Sequence, residues 1–242
     1  MLESPDMNPR ERTGVQLYLA SNSPRRRELL SLIGLEYGLL SAHVDETPFP
    51  HEDGLEYVKR IANRKATDAA CQIGTDGMIL AADTAVVDHD RMGKAEILGK
   101  PKGSMEAVEM LSSLRGHTHQ VFTAISILPT QGGTILSDQC TTDVPMRNYS
   151  DEEIRAYVAS GDPLDKAGAY AIQHVGFHPV ENLSGCFANV MGLPLCHLAR
   201  SLSQLGINSP RNVPQACQAA LQYTCPVYHL ILEENSVNLP LS

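Results

Sequence analysis

Carboxylates at Asp45, Glu46 and Asp83 and cations at Arg25, Arg26, Lys65 and Lys100 fall beside or inside apolar segments, where charge needs a reason. Cations can hold a polyphosphate, and carboxylates can hold a divalent metal that neutralises it and lowers the pKa of a bound water. If the fold brings the two sets together, the chemistry they suit is metal-dependent hydrolysis of a phosphate ester or phosphoanhydride. Asp83 is the most conspicuous, because it interrupts the apolar run MILAADTAVV at 78–87. A carboxylate inside a strand buried on both faces is costly unless it is paired, binds a metal or performs acid–base work. Function and structural pairing are both open readings of Asp83 at this level.

The arginines must be presented by the stretch LYLASNSPRRRE at 17–28, which reads as a strand delivering its end to a helix start. Ser23 is a good N-cap, and Pro24 suits the first helical position because it has no N–H to lose. Leu29, Leu30 and Ile33 supply an apolar face, and Gly34 a stop. Such a helix directs unpaired N–H groups and the positive end of its dipole at the space above Ser21 and Ser23. Arg25, Arg26 and Arg27 add bidentate donors suited to phosphate. The bland alternative is a capped surface helix with a solvated basic turn.

Lys65 lies in a second helical stretch, 55–71, whose stripe of Leu55, Val58, Ile61, Ala62, Ala66 and Ala69 recurs at about 100° per residue. Its ammonium falls on the inward face, so it either snorkels to the edge or meets an anion. Lys100 belongs to the tight turn Gly99-Lys100-Pro101, after the run 78–87, a turn at 88–94 and a short partner strand at 95–98.

The remaining elements alternate in type. A second extended segment is expected at 37–44, a helix at 104–115 with Met105, Val108 and Leu111 inward, and a hairpin of 120–128 with 134–146. Ser150 and Glu153 form a capping-box pattern that opens a helix over 152–160. The stretch PLDKAGAYAIQ predicts an apolar strand ending at the carboxamide of Gln173, with Asp165 and Lys166 as ordinary solvated charges at its opening. Another strand is expected at 175–183, and a helix with Pro194 at its first position running to Leu205. Beyond Asn208 a short helix at 215–222 precedes an extended stretch at 227–232. Early strand–helix alternation with a later hairpin predicts an α/β fold on a mixed sheet. Neither GxGxxG nor GxxxxGK[ST] occurs.

The net charge of −9 argues against a general nucleic-acid or anionic-membrane surface and makes the arginines a local positive spot. No window approaches the roughly 18 apolar residues of a membrane span, and the N-terminus lacks the apolar core of a signal peptide, so a cytoplasmic location is expected. The 6 cysteines are scattered without CxxC or paired Cys/His spacing, which reads as reduced thiols. Residues 1–14 read as a mobile leader, 15–207 as the functional domain and 208–242 as a C-terminal extension without visible chemistry.

LASNSPRRRELL, VDETP, ILAADTAVV, LGKPK, PLDKAGAYAIQ and NVMGLPL, in this order, resemble the motifs of the Maf family of nucleoside triphosphate pyrophosphatases. The resemblance runs from about residue 17 to 206. It implies an elongated mixed sheet with flanking helices and two lobes around a central cleft, related to the inosine triphosphate pyrophosphatases. It also implies the chemistry of that family: cleavage of a nucleoside triphosphate to the monophosphate and pyrophosphate with a divalent cation, Mg or Mn, by a homodimer. Carried over by motif, Asp83 matches the proposed general base, and Arg25 and Arg26 the phosphate-site arginines. Lys65 and Lys100 match lysines at the triphosphate; in a metal-dependent reaction of this kind, Glu46, with Asp45 as second candidate, would help hold the metal beside Asp83. Arg25, Thr84 and Gln173 match the subgroup acting on dTTP and UTP, where the subgroup acting on 7-methyl-GTP has Trp, Gln and Glu. A carboxamide can pair with the O and N3–H edge of uracil or thymine. One departure is His174, where the family usually has glycine. Two rival readings are a nucleotide-binding regulator of septum formation without turnover and a pyrophosphatase for a different modified nucleotide.

Overall fold

The computed structural model describes residues 15–89 and 95–233. The leader at 1–14 and most of the turn at 88–94 lie outside the described residues. A mixed sheet forms the centre, in the order β2-β1-β3-β5-β6, with β4 also paired to β3. Its strands are β1 (Gln16–Ala20), β2 (Tyr37–Leu40), β3 (Gly77–His89), β4 (Ala95–Leu98), β5 (Thr118–Pro129) and β6 (Leu136–Pro145). β1 runs parallel to β2 and β3, because α1 (Pro24–Ser31) and α2 (Gly54–Ala70) carry the crossovers. β4, β5 and β6 add antiparallel, as the hairpin pattern requires.

The period of two in β3 decides where its polar residues go. Ile79, Ala81, Ala85 and Val87 bury against α2, in contact with Val58, Ile61, Ala62, Ala66 and Ala69. Leu80, Ala82 and Val86 join the larger core on the opposite face, with Leu29, Leu30 and the helix α3 (Ser104–Leu114). Asp83 therefore points to α2 and Lys65, whereas Thr84 points to α1. Asp83 stands opposite Ala124 and Thr84 opposite Thr123 on β5.

After β6 come α4 (Asp151–Ala159), α5 (Phe187–Met191), α6 (Leu195–Gln204), α7 (Val213–Leu221) and α8 (Tyr228–Glu233). Five sequence expectations are corrected here. The strand expected to end at Gln173 is replaced by two 3-10 turns, Asp162–Asp165 and Ala167–Ala169, and then a turn. Gly168 at φ 67 and Ala169 at φ 58 are successive left-handed residues, which a strand cannot accommodate. Residues 175–183 form no strand beyond the bridge Met146↔Val180, since His178 and Asn182 also have positive φ. Residues 227–232 fall largely in α8, where Ile231 is buried and Leu230 is exposed. Met105 is 81% exposed and packs no core. Pro194 caps α6 from outside its first turn, and α5 was not expected at all. No described helix is long and apolar enough to cross a membrane.

Candidate active site

A cleft of about 640 Å³ opens where the C-terminal half of β1, the start of α1, the middle of β3 and the turns after α4 meet. Ten of the sequence-nominated residues line it: Ser21, Ser23, Arg25 and Arg26 from the α1 side, Glu46, Lys65, Asp83 and Thr84 from the centre, and Lys100 and Gln173, whereas Arg27 does not. Asp45 does not line it. Its carboxylate turns to the Thr47 N–H at 2.9 Å in an exposed turn.

On one wall, Lys65 Nζ donates to Asp83 Oδ1 at 2.7 Å and lies 2.6 Å from Glu46 Oε1. The inward ammonium thus meets anions, so it does not snorkel away. Asp83 is 5% exposed. Burial pushes its carboxyl above the usual range, against the Lys65 and Arg26 charges and the Lys65 hydrogen bond, while Glu46 adds to the rise. The ion pair does not reverse the direction, because the desolvation of a strand-interior carboxylate is the larger effect.

On the opposite wall, Ser23 caps α1 by accepting from the Arg26 N–H at 3.4 Å, with Pro24 at the helix start. Arg26 is tied to the scaffold: Nε donates to the Gly192 carbonyl at 2.9 Å and Nη2 to Thr84 Oγ1 at 3.0 Å. Thr123 Oγ1 donates to the Asn189 carbonyl at 3.1 Å, which leaves Thr84 to donate to Thr123 at 3.0 Å. This ordered chain holds the guanidinium across the sheet from Asp83. Burial lowers the Arg26 pKa, and the Asp83 charge opposes that fall. Arg25 lines the same cleft, and its positive charge reaches Asp165 and Tyr157.

The third wall is built by residues the sequence pattern did not single out. Lys166, taken as a solvated charge, is 7% exposed and donates to Asp162 Oδ1 at 3.0 Å, Asp165 Oδ1 at 2.7 Å and the Asp162 carbonyl. The Gly168 N–H donates to the Gly99 carbonyl at 3.1 Å, joining the Lys100 turn to the 3-10 turns. Gln173 is exposed on the following turn. His174 is not among the positive-φ residues, so a side chain sits there without the strain a glycine-only conformation would impose. Only the two adjacent charges in PLDK could have signalled this wall, and charge at a segment opening is ordinarily solvent-facing.

Tyr170 is fixed in the cleft by its hydroxyl, 2.8 Å from His119 Nε2. His119 is 0% exposed, and burial lowers its pKa from 6.5 to about 4, against the Asp88 charge and alongside His117. A histidine kept neutral in the fold takes up a proton more readily when unfolded, so stability falls as pH drops from 6.5 towards 4. The expected loss over that window is about 3 kcal/mol. Urea midpoints at pH 7 and pH 4.5 check it, with His119→Gln losing clearly less than the native chain. Equal losses in the two proteins would refute the assignment.

A mixed α/β sheet carries a cleft with a buried carboxylate–lysine pair on one wall and, on the other, an arginine-bearing helix start whose charge and N–H donors suit an anion. The chain belongs to the Maf family: a family model described as Maf-like protein matches residues 16–205. A dTTP/UTP pyrophosphatase of Dehalococcoides mccartyi is 41% identical over 80% of this chain and 84% of its own length. Relatives of the same name from Pasteurella multocida and Methylococcus capsulatus are 40% and 44% identical, each over 81% of this chain and 98% and 94% of their own lengths. Among solved structures, the Staphylococcus aureus Ham1 protein aligns over 86% of this chain and 98% of that one, at 16% identity and a TM-score of 0.43.

Proposed function

We propose that this chain hydrolyses dTTP and UTP to the monophosphate and pyrophosphate. The observation that carries the reading is the buried Asp83 carboxylate, held by Lys65 beside Glu46 and facing the Arg25–Arg26 helix start across one cleft. The names of its relatives support the same substrates.

In this reading the triphosphate lies against α1, where Ser21, Ser23, Arg25 and Arg26 meet its oxygens and Lys100 offsets charge from the other side. Water attacks the α-phosphorus, Asp83 takes its proton, and the bond to the bridging oxygen breaks so that pyrophosphate leaves. Lys65 keeps Asp83 oriented and sits near the charge that develops. Gln173 pairs its carboxamide with the O and N3–H edge of the base, and Thr84 completes the pyrimidine subgroup pattern with Arg25.

The donor set fits a divalent cation. Among the described residues no group of three His, Cys, Asp or Glu side chains could hold a metal alone. Two carboxylates converging on one ammonium suit an ion that is held by one or two protein oxygens and completed by substrate phosphates. Glu46 and Asp83 would hold it, and it would supply charge neutralisation and a more acidic bound water.

The reading extends to a cytoplasmic homodimer whose catalytic unit spans 15–207, with 208–242 as an addition. The test is incubation of the purified chain with dTTP, UTP, CTP and 7-methyl-GTP in Mg²⁺ or Mn²⁺, with products identified and mass measured by light scattering. The expected products are dTMP or UMP with pyrophosphate, from a particle of twice the chain mass. Formation of dTDP and orthophosphate would sink the mechanism, tight binding without turnover would favour a regulator, and a monomer would overturn the dimer.

A further inference from the structure

We infer that Tyr157, braced by Asp162 and Lys166, is a positioning residue for Gln173, and that its hydroxyl sets the preference for uracil and thymine. The inference rests on the base-reading role proposed for Gln173. The Tyr157 hydroxyl lies 2.7 Å from Asp162 Oδ2 and accepts from the Ala171 N–H at 3.0 Å. Its polarity is forced from the far end. An ammonium only donates and a carboxylate only accepts, so Lys166 donates to Asp162 and Tyr157 must donate to the other oxygen. The phenol oxygen is then left with a lone pair for Ala171. Burial first and the Asp162 bond and charge next raise the phenol pKa, which keeps that proton on Tyr157.

The ring supports the same turn from beneath. It stacks on Phe177 at 4.3 Å and 12°, and its centroid is 4.6 Å from the His174 ring. His174 Nδ1 accepts from the Phe177 N–H at 2.9 Å, and the His174 N–H donates to the Ala171 carbonyl at 3.1 Å. The Ala171 N–H bond before Gln173 thus leads to Tyr157, and the Phe177 N–H bond after it to the His174 ring packed on Tyr157. The Gln173 carboxamide has no hydrogen-bond partner among the described residues. Its aim is therefore set by the backbone of 171–174, and a loosened turn lets the amide reach mismatched bases and hold matched ones less well. Tyr157 stands on α4, which the Ser150–Glu153 capping box fixes, so the brace has a rigid base.

The experiment measures kcat/KM for UTP and CTP with Tyr157→Phe, Gln173→Ala and the double variant, together with hydrogen exchange at 167–174. Tyr157→Phe is expected to lower the UTP-to-CTP ratio about tenfold, mainly through KM for UTP. Exchange at Ala171 should accelerate and be restored by UTP. In the Gln173→Ala background, Tyr157→Phe should change the ratio less than twofold, because the selectivity it supports is already gone. A second variant, Asp162→Asn, should shift the ratio in the same direction to a smaller extent and answers the question if Tyr157→Phe does not fold. An unchanged ratio in either folded variant while Gln173→Ala loses selectivity would overturn the positioning role and leave the Gln173 reading intact. Selectivity surviving in Gln173→Ala would overturn both.

Discussion

Asp83→Asn should lower kcat on dTTP by about 10³-fold while the thermal midpoint stays level or rises. The loss follows from the proposed step: an amide of the same shape cannot take the proton from water. The thermal result follows from burial. Desolvation outweighs the Lys65 pair and holds the folded carboxyl above its ordinary pKa. The sign is that of a raised acid: the protonated form is favoured in the fold, so stability is lost as pH rises above the ordinary carboxyl range and the cost of ionisation grows. A neutral amide removes that cost, although it leaves Lys65 with Glu46 as its remaining carboxylate partner. Steady-state kinetics with calorimetry on the same sample checks both halves. Retained turnover would remove Asp83 from the reaction, and a collapse of the midpoint would mark it as a structural partner instead.

Lys65→Met is the second large effect, with kcat/KM falling about 10²-fold at neutral pH. Its more diagnostic consequence is the direction of the pH profile. The charged and titratable groups around Asp83 are Lys65, Arg26, Glu46 and the Tyr57 phenol. Lys65 supplies the largest pull toward the ionised form, and removing it leaves burial and Glu46 opposed mainly by Arg26. The Asp83 pKa then rises further, so the acid limb of kcat/KM moves to higher pH than in the native chain. A profile of kcat/KM over pH 5–9 reads it. A limb that stays put, with the rate loss intact, would place Lys65 on the phosphates alone.

Much of this cleft was legible along the chain because its parts are local. Ser23 and Pro24 write a helix start, the stripe through Lys65 writes a helix face, and Asp83 breaks an apolar run that only a central strand explains. Each depends on the neighbours within one or two turns, and that is the range over which spacing carries information. The wall beyond α4 is hidden from sequence pattern for the opposite reason. AGAYAIQ has the composition of a strand, yet Gly168 and Ala169 adopt left-handed conformations where the Gly168 N–H bonds the Gly99 carbonyl and Gly168 lies against Val86, both from distant segments. Lys166 looked solvated because its burial depends on how the turn folds over it.

The sequence by itself determined which residues could do chemistry and which elements carry them: a carboxylate in a strand, a lysine on a helix face, arginines at a capped start. The tertiary structure decided that Asp83 meets Lys65 and Glu46, that Thr84 turns away to hold Arg26, and that Gln173 rides on a turn braced by Tyr157. Alternation along β3 sorts neighbours onto opposite faces, but only the packed partner helices give each face something to meet.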